Sequence, residues 1–293
     1  MNNIEQISSI KNGDDGFPES LRGIPSAPKI LYYRGKLPGT DEKFIAVVGS
    51  RVCSDYGKRI ANDICQGLTS AGAVIISGLA PGIDTLAHAA AVTNRNRTIA
   101  VLGTGIDKPS IYPQSNLDLS DGIVNNGGCL LTEYPNGTRG AKFTFPQRNR
   151  IIAGLSMATV VIEAKLKGGS LITANLAKKY GKPVFAVPGP VYSLNSEGCN
   201  DLIRQGATLV RNAKDILSAL NLSTMPEPGK QQINAGSPEE RSILEALSEE
   251  ALEIDKIIIK TKLPAQIVLS IIPVLEIKGS IKNIGGMKYY SNR

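Results

Sequence analysis

A doubly wound, mostly parallel α/β sheet followed by a small separate module is the fold this sequence predicts, on three observations. Short aliphatic runs ending in glycine or serine alternate with amphipathic stretches of roughly 10 to 15 residues, the rhythm of strand–helix–strand units. The runs are apolar throughout, as strands covered on both faces are. A polar stretch rich in Pro, Gly and Ser, NLSTMPEPGKQQINAGSPEE (221–240), then separates this pattern from a differently patterned tail.

FIAVVGS (44–50) is the first clear strand. GKRIANDICQGLTSAG (57–72) is the first long helix, with Ile60, Ile64 and Leu68 on one face and Gly72 as its stop. AVIISGLA (73–80) and TIAVLGTG (98–105) read as strands around the helix GIDTLAHAAAVTN (82–94). Residues 115–127 read as a helix, and CLLTEYP (129–135), MATVVIEA (157–164), KPVFAVPG (182–189) and GATLV (206–210) as strands. SLITANLAKKYG (170–181) and residues 213–220 are the remaining helices. Residues 1–40 read as a short, loop-rich extension, 41–220 as the sheet domain, 221–236 as a linker and 237–293 as a separate module. In that module two short helices precede a longer one, and Gly285-Gly286 between two short runs signals a hairpin. Helices followed by a hairpin resemble a winged helix.

At 293 residues the chain suffices for about two domains with full cores. MNNIEQISSIKNGDD shows neither a basic nor an apolar leader segment, and no apolar run approaches about 18 residues, so no membrane association is expected. Cys53, Cys65, Cys129 and Cys199 lie far apart, which suits buried thiols in a reducing cytoplasm. From residue 221 onward nine basic residues balance nine acidic ones, so the whole net charge of +7 lies before it. Residues 139–182 hold nine basic groups against one acid, Glu163, the footprint expected where polyanions dock. A solvated lysine-rich helix face accounts equally well for Lys178, Lys179 and Lys182.

The residue inventory removes several chemistries. His88 is the single histidine, which excludes multi-histidine metal sites and leaves any Ser-His-Asp triad dependent on it. Asp84, four residues earlier in GIDTLAH, is a helix N-cap candidate and the natural local partner of His88. No cysteine pair has metal-ligand spacing. Neither a P-loop nor a G-x-G-x-x-G occurs, so no nucleotide cofactor and no metal are expected.

Three stretches remain as an anion site. Gly49-Ser50-Arg51 places backbone amides and a guanidinium where the first strand opens toward a helix. Gly169-Ser170, with Lys165 and Lys167 beside them, offers a second nest of amides. FPQRNR (145–150) reads as a short basic lip: Arg148, Asn149 and Arg150 for phosphate, Phe145 for stacking on an unpaired base, and Lys142 as a nearby point charge. The plainer reading buries at least one of Phe143 and Phe145 and makes Asn149 a helix N-cap.

VVGSR (47–51), SGLAPGIDTLAH (77–88), LGTGIDKPSIYP (102–113), EYP (133–135), FPQRNRIIAGLS (145–156), EAKLKGGSLITANLA (163–177), VFAVPGP (184–190) and GCNDLIRQGATLV (198–210) together resemble the DNA-processing protein A family (DprA, also called Smf). The resemblance covers about residues 40–220, and the tail is similar to the winged-helix-like domain of many members. It implies an extended Rossmann-like fold that binds single-stranded DNA, dimerises, and loads the recombinase RecA onto incoming strands in natural transformation. By motif it implies phosphate binding at Arg51, strand contact at Lys142 and Phe145, and a pocket completed by residues 148–150. Many members carry a helical domain before the sheet, which residues 1–40 are too short to supply. No motif here places the family's recombinase contacts.

The competing reading is an enzyme. Related nucleotide phosphoribohydrolases carry P-G-G-x-G-T-x-x-E at a similar strand end. In KGGSLITAN (167–175), Leu171 and Ile172 replace Gly-Thr, and Asn175 stands where the carboxylate belongs. An amide cannot act as that general base. A nucleotide-sensing module without a polymer ligand is the third reading.

Overall fold

The computed structural model describes residues 6–222, 237–247, 251–283 and 285–291. It divides into two compact units between residues 224 and 225. The expected linker, apart from residues 221 and 222, lies outside the described residues.

The first unit carries nine strands: β1 (Ser8–Lys11), β2 (Ile30–Gly35), β3 (Phe44–Gly49), β4 (Val74–Ser77), β5 (Thr98–Val101), β6 (Cys129–Thr132), β7 (Ala158–Ile162), β8 (Val184–Ala186) and β9 (Thr208–Leu209). Its helices are α1 (Glu19–Arg22), α2 (Asp55–Ser70), α3 (Ile83–Thr93), α4 (Leu117–Asn125), α5 (Thr144–Leu155), α6 (Gly169–Lys179), α7 (Glu197–Arg204) and α8 (Ala213–Ala219). One sheet results, ordered β1-β2-β6-β5-β4-β3-β7-β8-β9. β6 through β9 in that order are parallel, while β1 and β2 run antiparallel along one edge.

Alternate side chains of each strand enter opposite layers, as the period of two requires. Phe44, Ala46 and Val48 pack with Leu21, Ile151, Ile152 and Leu155 from α1 and α5. Ile45 and Val47 pack with Ile64, Leu68, Ile83 and Ile216 from α2, α3 and α8. Both faces of the central strands are thus covered, which is why their sequences are unbroken apolar runs.

The N-terminal segment differs from the loop-rich extension expected. β1 pairs with β2 and β2 with β6, and Leu31 and Leu21 are fully buried in the shared core. These elements are only four to six residues long and sit among Gly and Pro, so they leave little periodic signal. Cys65, Cys129 and Cys199 are buried free thiols, and burial pushes the last two up to about 12.

The second unit is a winged helix: α9 (Pro238–Ala246), β10 (Leu252–Glu253), α10 (Ile254–Thr261), α11 (Ala265–Ile277), β11 (Ile281–Asn283) and β12 (Lys288–Ser291). Ile243, Ile257, Val268, Leu275 and Tyr289 form its core. The wing turns at Gly285 and Gly286, both at positive φ, as the glycine pair predicts. No single described helix is long and apolar enough to cross a membrane.

Candidate nucleic-acid interface

Strand order sets the site. After β3 the chain builds β4, β5 and β6 on one side, then returns to place β7, β8 and β9 on the other. Connections leaving β3 and β7 diverge, and a crevice opens beyond their carboxyl ends. Gly49 ends β3 there; a Cβ on it would stand 1.9 Å from the Ile162 carbonyl oxygen, so no larger residue fits. Ser50 Oγ donates to Val52 O at 2.8 Å and accepts from Val52 N–H at 3.2 Å, folding a tight loop with Arg51 exposed on it.

The crevice is a cleft of about 810 Å³. Gly49, Ser50, Arg51, Lys142, Phe145, Asn149, Lys165, Gly169 and Ser170, all expected from the sequence, line it together. Arg51's guanidinium lies over the Phe145 ring, 5.4 Å from its centroid. The Tyr112 ring centroid lies 5.5 Å from that of Phe145, with the two planes at 50°. Gly140 makes room for Phe145, because a Cβ there would come within 2.6 Å of its Cζ. Among the described residues, Arg51, Lys142, Lys165 and Lys167 have no acidic partner within ion-pair distance. The cleft therefore offers free cations around a half-exposed aromatic face.

Two of the expected anion binders take other roles. Arg148 lines the cleft with the others but is only 3% exposed. It donates through Nη1 to the carbonyls of Gly78, at 2.8 Å, and Val101, closing the ends of β4 and β5. Asp84 Oδ2 accepts the Gly78 N–H at 3.0 Å, so the two buried charges grip neighbouring peptide groups of Gly78. Burial holds Arg148 down to about 10, against the opposing pull of Asp84, and raises the Asp84 carboxyl despite Arg148 beside it. Arg150 is not in the cleft: its Nη1 and Nη2 donate to the two Glu133 carboxylate oxygens at 2.9 and 2.6 Å, a bidentate pair. Asn149 is no N-cap either. It sits mid-helix and donates through Nδ2 to Gly169 O at 3.3 Å, tying α5 to α6.

The expected Asp84 cap and Asp84–His88 pair do not form. α3 starts from Gly82 without a side-chain cap, and His88 is buried with Nδ1 2.8 Å from Thr98 Oγ1. Neither phenylalanine is core: Phe143 is 69% exposed and Phe145 half-buried. FPQRNR is not a lip but the first turns of α5, where Pro146 is tolerated because the first helical N–H groups lack partners anyway. Lys167, read from the sequence as flanking the Gly169-Ser170 nest, also lines the cleft, whereas sequence reasoning missed Tyr112, for which the aromatic in IYP was the available signal. Asn175, central to the enzyme reading, lies outside the cleft. Among the described residues no group of three or more His, Cys, Asp or Glu could hold a metal ion.

Residues 8–221 match the family model "DNA recombination-mediator protein A", and 226–287 match "DprA winged helix domain". DNA processing protein DprA of Streptococcus pneumoniae is 46% identical over 215 residues, 73% of this chain and 75% of that protein. Protein Smf of Escherichia coli is 35% identical over 277 residues, 92% of this chain and 74% of its own. The solved S. pneumoniae structure superposes with a TM-score of 0.68 at 44% identity, covering 74% and 75% of the two chains. DNA processing protein A of Helicobacter pylori, solved to show its single-stranded DNA binding mode, gives 0.65 at 30% identity, covering 75% of this chain and 98% of that one. A switch-point cleft on this sheet, a winged helix after it and relatives matched over most of the chain lead to one conclusion: the chain belongs to the DNA recombination-mediator protein A family, that of the DprA and Smf proteins.

Proposed function

We propose that the cleft binds single-stranded DNA without catalysing a reaction on it. The observation that carries this reading is the Arg51 guanidinium over the Phe145 ring in an open cleft with three further unpaired cations. A duplex buries its base faces, so an accessible aromatic among cations favours unpaired strands. The H. pylori relative, named for its single-stranded DNA binding mode, supports it.

In this reading the protein protects incoming strands in the cytoplasm, works as a homodimer and loads RecA during natural transformation. These finer roles rest on family membership rather than on the cleft's geometry. The test is competition between single- and double-stranded oligonucleotides for a labelled oligo-dT across a salt series, with Arg51→Ala alongside. Single strands should win, and Arg51→Ala should bind more weakly. Equal competition by duplex together with a silent Arg51→Ala sinks the proposal.

A further inference from the structure

Tyr192 is 99% exposed, with Val191 at 76% and Leu194 at 63%, in the loop between β8 and α7. This loop is held firmly. Asn195 O accepts the Ala164 N–H at 2.7 Å, Tyr56 Oη donates to Pro188 O at 2.8 Å, and Gly189 and Asn200 exchange two hydrogen bonds. Asn195 Nδ2 also donates to Val52 O at 3.0 Å, and Val52 lines the cleft. The loop therefore abuts the cleft wall.

Strand order fixes what lies between. β3, β7 and β8 are consecutive neighbours, so the ends of β3 and β8 are two strand spacings apart, roughly 10 Å. The loop after β7, in the middle, carries the unpaired Lys165 and Lys167. The loop carrying Tyr192 is anchored through Asn195 to Ala164, just before Lys165 and Lys167, and to Val52, just after Arg51. An exposed aromatic, two lysines and the Arg51–Phe145 pair thus share one neighbourhood. A single strand presents matching features, with bases to stack and phosphates to neutralise between them. A tyrosine on a pinned loop gives up little side-chain freedom when it is covered.

We infer that Tyr192 is a second stacking station for the same strand, reached from the Phe145 cleft across Lys165 and Lys167. The inference rests on the single-strand reading above. Unpaired cations near the ring favour a polyanion over a protein surface as its occupant.

The chain has no tryptophan, so Tyr192→Trp gives a sole reporter. Its fluorescence should be quenched by oligo-dT of about sixteen nucleotides and much less by about four, which the first cleft can hold alone. Tyr192→Ala should lose at least about fivefold in affinity for the long oligomer only, and Tyr192→Phe should restore it. Phe145→Ala should lose affinity at both lengths. Unquenched Tyr192→Trp fluorescence while anisotropy reports binding overturns the second station and leaves the cleft reading intact. Wild-type protein that binds neither oligomer overturns both. A Tyr192→Ala protein with unchanged affinity but altered sedimentation mass assigns the ring to a protein contact and overturns the inference.

Discussion

Arg51 and Phe145 should act as one unit, and a double-mutant cycle measures whether they do. Removing Phe145 takes away a base platform, about 1–3 kcal/mol by alanine substitution, or about 5- to 150-fold in Kd. Removing Arg51 deletes a phosphate contact and also frees the ring, since the guanidinium sits 5.4 Å from its centroid. At an exposed site such a contact is worth about 0.5–1 kcal/mol. Arg51→Ala plus Phe145→Ala should therefore cost less than the two single changes summed, by about that amount. The assay is anisotropy with labelled oligo-dT at fixed low salt on all four proteins, each checked for an unchanged Tm. Strict additivity, within about 0.3 kcal/mol, refutes the coupling, because contacting residues rarely behave independently. A silent Phe145→Ala refutes stacking itself.

Gly140→Ala should weaken binding without touching a charge, because its new Cβ would meet Phe145 Cζ at 2.6 Å and displace the ring; oligo-dT anisotropy reads the loss, and unchanged affinity removes this slot from the account. Arg148→Met should lower stability by about 2–5 kcal/mol by leaving the buried carbonyls of Gly78 and Val101 without their donor. Urea unfolding measures it, and a midpoint equal to wild type shows that the Gly78 grip is not structural. Burial lowers His88 to about 3, so the unfolded chain takes up the proton first as pH falls from 6.5. The stability this residue contributes is complete above pH 6.5 and drains toward pH 3, about 2 kcal/mol being lost by pH 5. His88→Leu should flatten Tm against pH over that interval; parallel curves for the two proteins refute this.

What could be read from the sequence was what local pattern encodes. The runs of β3 to β8 are buried on both faces and announce themselves, and Gly49-Ser50-Arg51 is legible because a glycine must end β3 where the Ile162 carbonyl comes so close. α5 was illegible. Its inward face in the first turns is made by Arg148, a charged residue that looks like surface, and its Pro146 looks like a breaker. β1 and β2 are short edge elements whose burial depends on pairing with β6, a contact distant in sequence. The meeting of Phe145 with Tyr112 and Arg51 is likewise purely tertiary, as two separate loops and the first turn of α5 converge on one rim.

Arg51, Arg148 and Arg150 look interchangeable as charges in the sequence, yet their surroundings assign them different physics. Arg148 already faces two carbonyls and a buried carboxylate, and Arg150 already holds Glu133 with both arms. A phosphate taking those same donors would have to displace the Gly78 and Val101 carbonyls or Glu133, and Arg148 Nε, which has no partner, is fully buried. Arg51 has only a ring beneath it. Counterion release turns this difference into a measurable slope. Four free cations (Arg51, Lys142, Lys165 and Lys167) allow log K to fall by at most about 3 per decade of salt, at roughly 0.7 per phosphate on a single strand. Counting Arg148 and Arg150 as well raises the ceiling to about 4. With a short oligomer confined to the cleft, a slope near the higher value would mean that the two arginines leave their partners on binding, and the division between structural and ligand-facing guanidiniums would then fail.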